Sequence, residues 1–204
     1  QGRTAYESAY TEAMQLLPTP NESMNVSTSY GVVRVYRWNA IQDQQNTPDV
    51  PIVLLPGRAS GVPMWTSNLP GLRVERTVYA LDALGDSGMS VQTAELRTAT
   101  DQAVWIDEVF KALELPTVHL VGHSFGGALA ASYATRYPER VQSLTLLEPV
   151  ITLQPLHFSI YLKSIPLAIP FLPQSWKDRF LADVGGTSEI DPSDPLARMI
   201  AAGS

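Results

Sequence analysis

The chain has 204 residues, 45% hydrophobic and 17% charged, with 14 Lys and Arg against 20 Asp and Glu for a net charge of −6. That balance supports a single core of ordinary size, and without a concentrated basic face no nucleic-acid partner is expected, since phosphates demand one. There is no cysteine, which excludes disulfides, thiol chemistry and Cys-ligated zinc. A cysteine-free chain fits a reducing cytoplasm, the favoured compartment here, and equally a secreted protein without disulfides. The three histidines form no His-x-x-x-His pair and no dinucleotide or phosphate loop is present, so neither a metal nor a cofactor is expected.

Residues 4–17 read as a short helix that ends before Pro18 and Pro20. NVSTSY and VVRVYRW then flank Gly31 and alternate apolar with polar residues, which predicts a two-stranded hairpin with Val33, Val35 and Trp38 turned to its faces. After a polar loop, PIVLLPG (51–57) is a continuous apolar run, as suits a strand buried on both faces of a parallel sheet. TVYALD (77–82), TVHLVG (117–122) and SLTLLEP (143–149) repeat that style. Between them ATDQAVWIDEVFKALEL carries a broad apolar helical face, with Asp101 near the start where the helix dipole favours a carboxylate. GGALAASYATRY reads as a helix ending before Pro138.

Strand alternating with helix predicts an α/β fold with a mostly parallel central sheet flanked by helices and joined by right-handed crossovers. The alternation stops after Glu148. Residues 1–150 are therefore read as the core and 151–204 as a separate helical layer. The most apolar stretch there, SIPLAIPFLP (164–173), is too short and too rich in proline to span a bilayer.

Within LVGHSFGGALA (120–130), Ser124 stands in a G-x-S-x-G pattern between a strand and a helix. Such a turn exposes a serine for attack on a carbonyl, and Gly122 and Gly126 leave room for strand and helix to pass closely. The helix N-terminus favours the negative charge that develops there. Motif and context together resemble the α/β-hydrolase superfamily. LLPGRASGVPMW is similar to the family's strand and oxyanion loop, with Pro56 where many members have histidine. DALGDSGMS (82–90) resembles its D-x-x-G-x-G-x-S loop with one additional residue between the glycines.

The resemblance implies an oxyanion hole formed by the backbone N–H groups of Phe125 and Arg58, with Ala59 as the substitute if the loop is shifted by one. It also implies that the layer 151–204 is the start of a helical cap, and that a triad runs from serine to acid to histidine. His119 lies inside a strand, His123 inside the elbow, and His157 in the proline-rich segment, so none reads as the base. Glu148 ends a strand where some members place the acid; the competing reading is that it ties down the following loop. Asp82 and Asp86 are read as organising their own loop.

The expected activity is that of an esterase-like serine hydrolase using an acyl-enzyme at Ser124 on a small, hydrophobic substrate, a preference suggested by residues 151–173 and Trp65. Perhydrolase and carbon–carbon hydrolase chemistries stay open, whereas dehalogenases would need aspartate in place of Ser124. Because the fold would need two more strand–helix units, the chain is expected to be a fragment, one half of an enzyme completed by a second polypeptide, or an unusually short member. Homo-oligomerisation is also open. The rival from another class is a non-catalytic binding or scaffold protein that retains the elbow.

Overall fold

The computed structural model describes residues 2–42, 50–150, 152 and 193–203. Helix α1 (Gly2–Met14) leads into the hairpin β1 (Glu22–Thr28) and β2 (Gly31–Trp38). Next come β3 (Ile52–Leu55), a 3₁₀ turn at Val62–Ser67, the single-turn helix α2 (Leu69–Leu72), β4 (Val78–Leu81) and the two-residue β5 (Val91–Gln92). The chain continues through α3 (Ala99–Ala112), β6 (Val118–His123), α4 (Phe125–Arg136), β7 (Val141–Leu147) and α5 (Pro195–Gly203).

The sheet runs β1-β2-β4-β3-β6-β7, with β5 also paired to β2. Pairing is parallel across β4, β3, β6 and β7, and antiparallel where β2 meets β1, β4 and β5. The apolar runs explain which strands sit centrally. All four residues of β3 are buried, because helices cover both of its faces. The alternation in the hairpin separates Val33 and Val35, which join one side of the core, from Tyr36 and Trp38, which join the other.

One side of the sheet packs against α3 and α4 through Trp105, Ile106, Phe110, Leu129 and Tyr133. The other packs against α1, the 3₁₀ turn and α5 through Tyr6, Tyr10, Leu17, Trp65 and Met199. Each such large side chain, fully buried, contributes about 1.5–3 kcal/mol. Helix α3 begins as its sequence promises: Thr98 and Asp101 form a reciprocal capping box. The backbone N–H groups of Arg97 and Thr98 hold the Asp101 carboxyl below its ordinary range.

Strand β7 departs from the expectation of a strand buried on both faces. Ser143, Leu144, Thr145 and Leu147 are exposed, and among the described residues β7 pairs only with β6. An apolar composition states that a strand belongs in a sheet; it does not state whether a neighbour lies on each side. The start of β7 is nonetheless fixed. Arg140 gives one guanidinium N–H to the buried Asp107 at 2.8 Å and another to the Leu115 carbonyl at 2.8 Å, while Lys111 also pairs with Asp107. No described helix is long and apolar enough to cross a membrane. The apolar segment 164–173 and His157 lie outside the described residues, as does most of the stretch read as a cap.

Candidate active site

The C-terminal ends of the parallel strands bring four segments to one edge of the sheet: the loop after β3, the loop after β4, the turn between β6 and α4, and Glu148 after β7. This is the edge at which open α/β sheets place their sites. Ser124 occupies the turn with φ 51° and ψ −114°, a left-handed conformation that costs a non-glycine residue about 1–3 kcal/mol. The surrounding glycines show what holds it there. A Cβ on Gly122 would lie 2.2 Å from the Gly126 carbonyl oxygen, and one on Gly126 would lie 2.2 Å from that of Leu55. Strand, turn and helix therefore touch backbone to backbone.

Ser124 is also bound into the sheet edge through its main chain. Its N–H donates to the Leu147 carbonyl at 2.9 Å, and its own carbonyl accepts from the N–H of Val150 at 3.2 Å. Glu148 sits between those two bonds, itself at φ 47°. The loop is thus tied down by backbone bonds. The Glu148 carboxylate is left 91% exposed, and its ion-pair neighbour among the described residues is His123 Nε2, at 3.8 Å.

The loop after β3 lies directly against the serine: a Cβ on Gly57 would be 3.5 Å from Ser124 Cβ. Gly57 and Ser60 close a turn through a 3.3 Å N–H···O bond, with Arg58 and Ala59 at its centre. The Arg58 guanidinium stands 5.9 Å over the Phe125 ring, so the two residues expected to give oxyanion donors are neighbours. Ala59, the substitute donor, has its N–H already committed to the Asp86 carboxylate at 3.1 Å.

Neither described histidine is aimed at the serine. His119 shares a 2.7 Å hydrogen bond with Ser143 Oγ on the neighbouring strand. His123 faces Glu148 through Nε2, while its buried Nδ1, against Gly57, has no hydrogen-bond partner. Neither is bonded to the Ser124 hydroxyl. Trp65, from which a hydrophobic substrate was expected, is 1% exposed inside the core and offers no surface to a ligand. Its apolar bulk instead fills the sheet face beneath α1.

The model of the alpha/beta hydrolase fold family matches residues 50–191, which include the turn at Ser124 and the loops facing it. The chain belongs to the α/β-hydrolase family. It is 32% identical over 156 residues to the carboxylesterase nap of Bacillus subtilis, covering 76% of this chain and 50% of that protein. It is 30% identical over 154 residues to the carboxylesterase YbfK of the same organism, covering 75% of this chain and 50% of that one. The solved structure of carboxylesterase CesB (YbfK) superposes with a TM-score of 0.87 at 27% identity, over 99% of this chain and 67% of that one. The chain thus spans about half the length of the curated relatives it matches.

What sequence reasoning missed at this α/β-hydrolase site is the reach of its two loop carboxylates. Asp82 and Asp86 do organise their own loop, where Asp82 accepts from Met89 N–H at 2.8 Å and Asp86 from Ser87 N–H at 2.8 Å. Each also reaches across to the loop after β3, Asp82 taking the Val62 N–H at 2.9 Å and Asp86 that of Ala59. Asp82 further accepts from Tyr10 Oη of α1 at 2.8 Å. These partners lie 20 to 72 residues away, so no local pattern announces them.

Asp82 is fully buried, and burial pushes its carboxyl from the ordinary 3.8 up to about 6 in spite of three donors that favour the anion. The folded state therefore keeps this proton at pH values where the unfolded chain has lost it. Stability contributed by Asp82 is present below about pH 4 and lost as pH rises toward 6. The lost amount is on the order of 3 kcal/mol. Asp82→Asn, which cannot titrate, is expected to flatten that part of the pH dependence; urea denaturation at pH 4 and pH 7 checks it.

Proposed function

We propose that this chain carries the nucleophile, oxyanion loop and acid of a serine esterase that passes through an acyl-enzyme at Ser124. The observation that carries the reading is the left-handed backbone of Ser124 between a buried strand and a helix N-terminus. A serine is kept in such a strained turn where exposure of its hydroxyl is needed. The resemblance to two proteins named as carboxylesterases supports the same chemistry and a small ester as substrate.

In this reading Ser124 Oγ attacks the ester carbonyl, and the Arg58 and Phe125 N–H groups receive the oxyanion. The alcohol leaves, and water then releases the acid from the acyl-enzyme. A histidine must take the serine proton. His119 is bonded to Ser143 and His123 makes no hydrogen bond to Ser124, so the base is assigned to residues beyond those described, in the same polypeptide or in a complementing one.

Glu148 is proposed as the acid that orients this histidine. Its carboxylate stands at the edge of the elbow, is almost wholly exposed, and is spent on nothing closer than His123 at 3.8 Å. Glu148→Gln in the full-length protein is expected to lower kcat by about 10³–10⁴-fold, as loss of the tautomer-fixing carboxylate does. Steady-state ester hydrolysis checks it; a loss of less than tenfold would return Glu148 to the role of a bystander.

The whole reading is tested with a fluorophosphonate probe, which phosphonylates an activated serine. Peptide mapping of the full-length protein is expected to find the adduct on Ser124, and Ser124→Ala to abolish it. A native protein that stays unlabelled, and hydrolyses no ester, would support the scaffold reading instead.

A further inference from the structure

The turn Gly57–Ser60 holds a further strained residue. Ala59 sits at φ 59° in the third position of a turn, a place that normally calls for glycine. Holding alanine there costs about 1–2 kcal/mol, so something must over-determine it. Both carboxylate oxygens of Asp86 lie 3.1 Å from the Ala59 N–H. Asp86 is in turn fixed by the Ser87 N–H at 2.8 Å, and Ser87 Oγ donates to the Gly203 carbonyl at the end of α5 at 2.7 Å. Three residues beyond Ala59, just past the turn, Val62 N–H is held by Asp82.

We propose that Asp86 is a positioning residue for the oxyanion hole, its carboxylate holding Ala59 in the strained turn and keeping the adjacent Arg58 N–H in place beside Ser124. The inference rests on the esterase reading given above. Asp86 touches no reacting atom. It acts through the loop backbone, by taking the N–H of the residue that follows the oxyanion donor. Without the carboxylate, Ala59 relaxes toward negative φ, the Arg58–Ala59 peptide turns, and the turn Gly57–Ser60 loosens, so that the neighbouring Gly57–Arg58 peptide, which carries the donor N–H, shifts away from the serine. Because an oxyanion donor acts on the transition state and not on bound ester, its displacement lowers kcat and leaves KM unchanged. Placement errors of about 1 Å are enough to cost 10²-fold.

The test compares Asp86→Ala with Asp86→Asn in the full-length protein. Asparagine keeps a carbonyl oxygen able to accept from both Ala59 and Ser87, whereas alanine accepts nothing. Asp86→Ala is expected to lower kcat about 100-fold with KM within about twofold, near the effect of losing one oxyanion donor. Inhibition by a trifluoromethyl ketone, which mimics the tetrahedral adduct, is expected to weaken by the same factor. Asp86→Asn is expected to stay within about fivefold of the parent. If Asp86→Ala does not fold, Asp86→Ser serves in its place, its hydroxyl too short to reach Ala59. A kcat within threefold of the parent for the truncating variant would overturn the proposal, and so would an asparagine variant as impaired as the alanine one. A Ser124→Ala variant that still turned over ester at the parent rate would instead overturn the serine-esterase reading, whatever Asp86 does.

Discussion

Ser124→Ala is expected to lower kcat/KM for ester hydrolysis in the full-length protein by about 10⁶-fold, with the melting temperature almost unchanged. The size of the loss follows from the way a nucleophile and its base act as a unit: removing either one removes most of what the set provides. What survives is the oxyanion hole and substrate binding, worth 10³–10⁴ over water. Stability should barely respond, because alanine meets the same steric penalty at φ 51° that serine does. Ser124→Gly makes the complementary point. Glycine relieves that penalty, so the variant should be equally inactive yet more stable, by about 1 kcal/mol. Thermal denaturation of the pair measures how much strain the site stores. Equal melting temperatures for Ser124→Ala and Ser124→Gly would mean that the turn is relaxed and that strain plays no part in presenting the serine.

The elbow was legible in the sequence because its constraints are local. Close passage of strand and helix demands small residues at fixed spacing from the serine, and Gly122, Gly126 and Gly127 supply them within six positions. The helix face of α3 and its Thr98–Asp101 box are equally local, as is the alternation that sends Val35 and Trp38 to opposite sides of β2. What was not legible is everything that depends on distant pairing. No run of apolar residues says that β3 lies between β4 and β6, or that β7 has one exposed edge among the described residues. Trp65 could not be told from a substrate-facing aromatic, since burial is a property of what packs over it. For the same reason the sequence could place Asp82 and Asp86 in a loop but could not show that they hold a second one. Their donors come from α1 and from the loop after β3, brought near only by the completed sheet.

Gly126→Ala is expected to disable the site and to destabilise the fold together, by about 3 kcal/mol or more. A methyl group there would lie 2.2 Å from the Leu55 carbonyl oxygen and 2.4 Å from that of Pro56. Both are backbone atoms at the end of the central strand β3, so no side chain can swing aside to make room. Overpacking of this kind costs about 1–3 kcal/mol even where flexible neighbours absorb it. Here the only relief is to push α4 away from β3, which moves Phe125 N–H and the loop bearing Arg58 apart. Activity is therefore expected to fall below a hundredth of the parent even in the fraction that remains folded. Gly71→Ala provides the control, since a Cβ on Gly71, in the short helix α2, meets nothing within 4 Å. That substitution should leave turnover unchanged and stability equal or slightly raised, alanine being the better helix former. Urea denaturation and ester hydrolysis on both variants separate the two outcomes. A Gly126→Ala protein as stable and active as Gly71→Ala would mean that the close passage of α4 over β3 is not what builds the elbow.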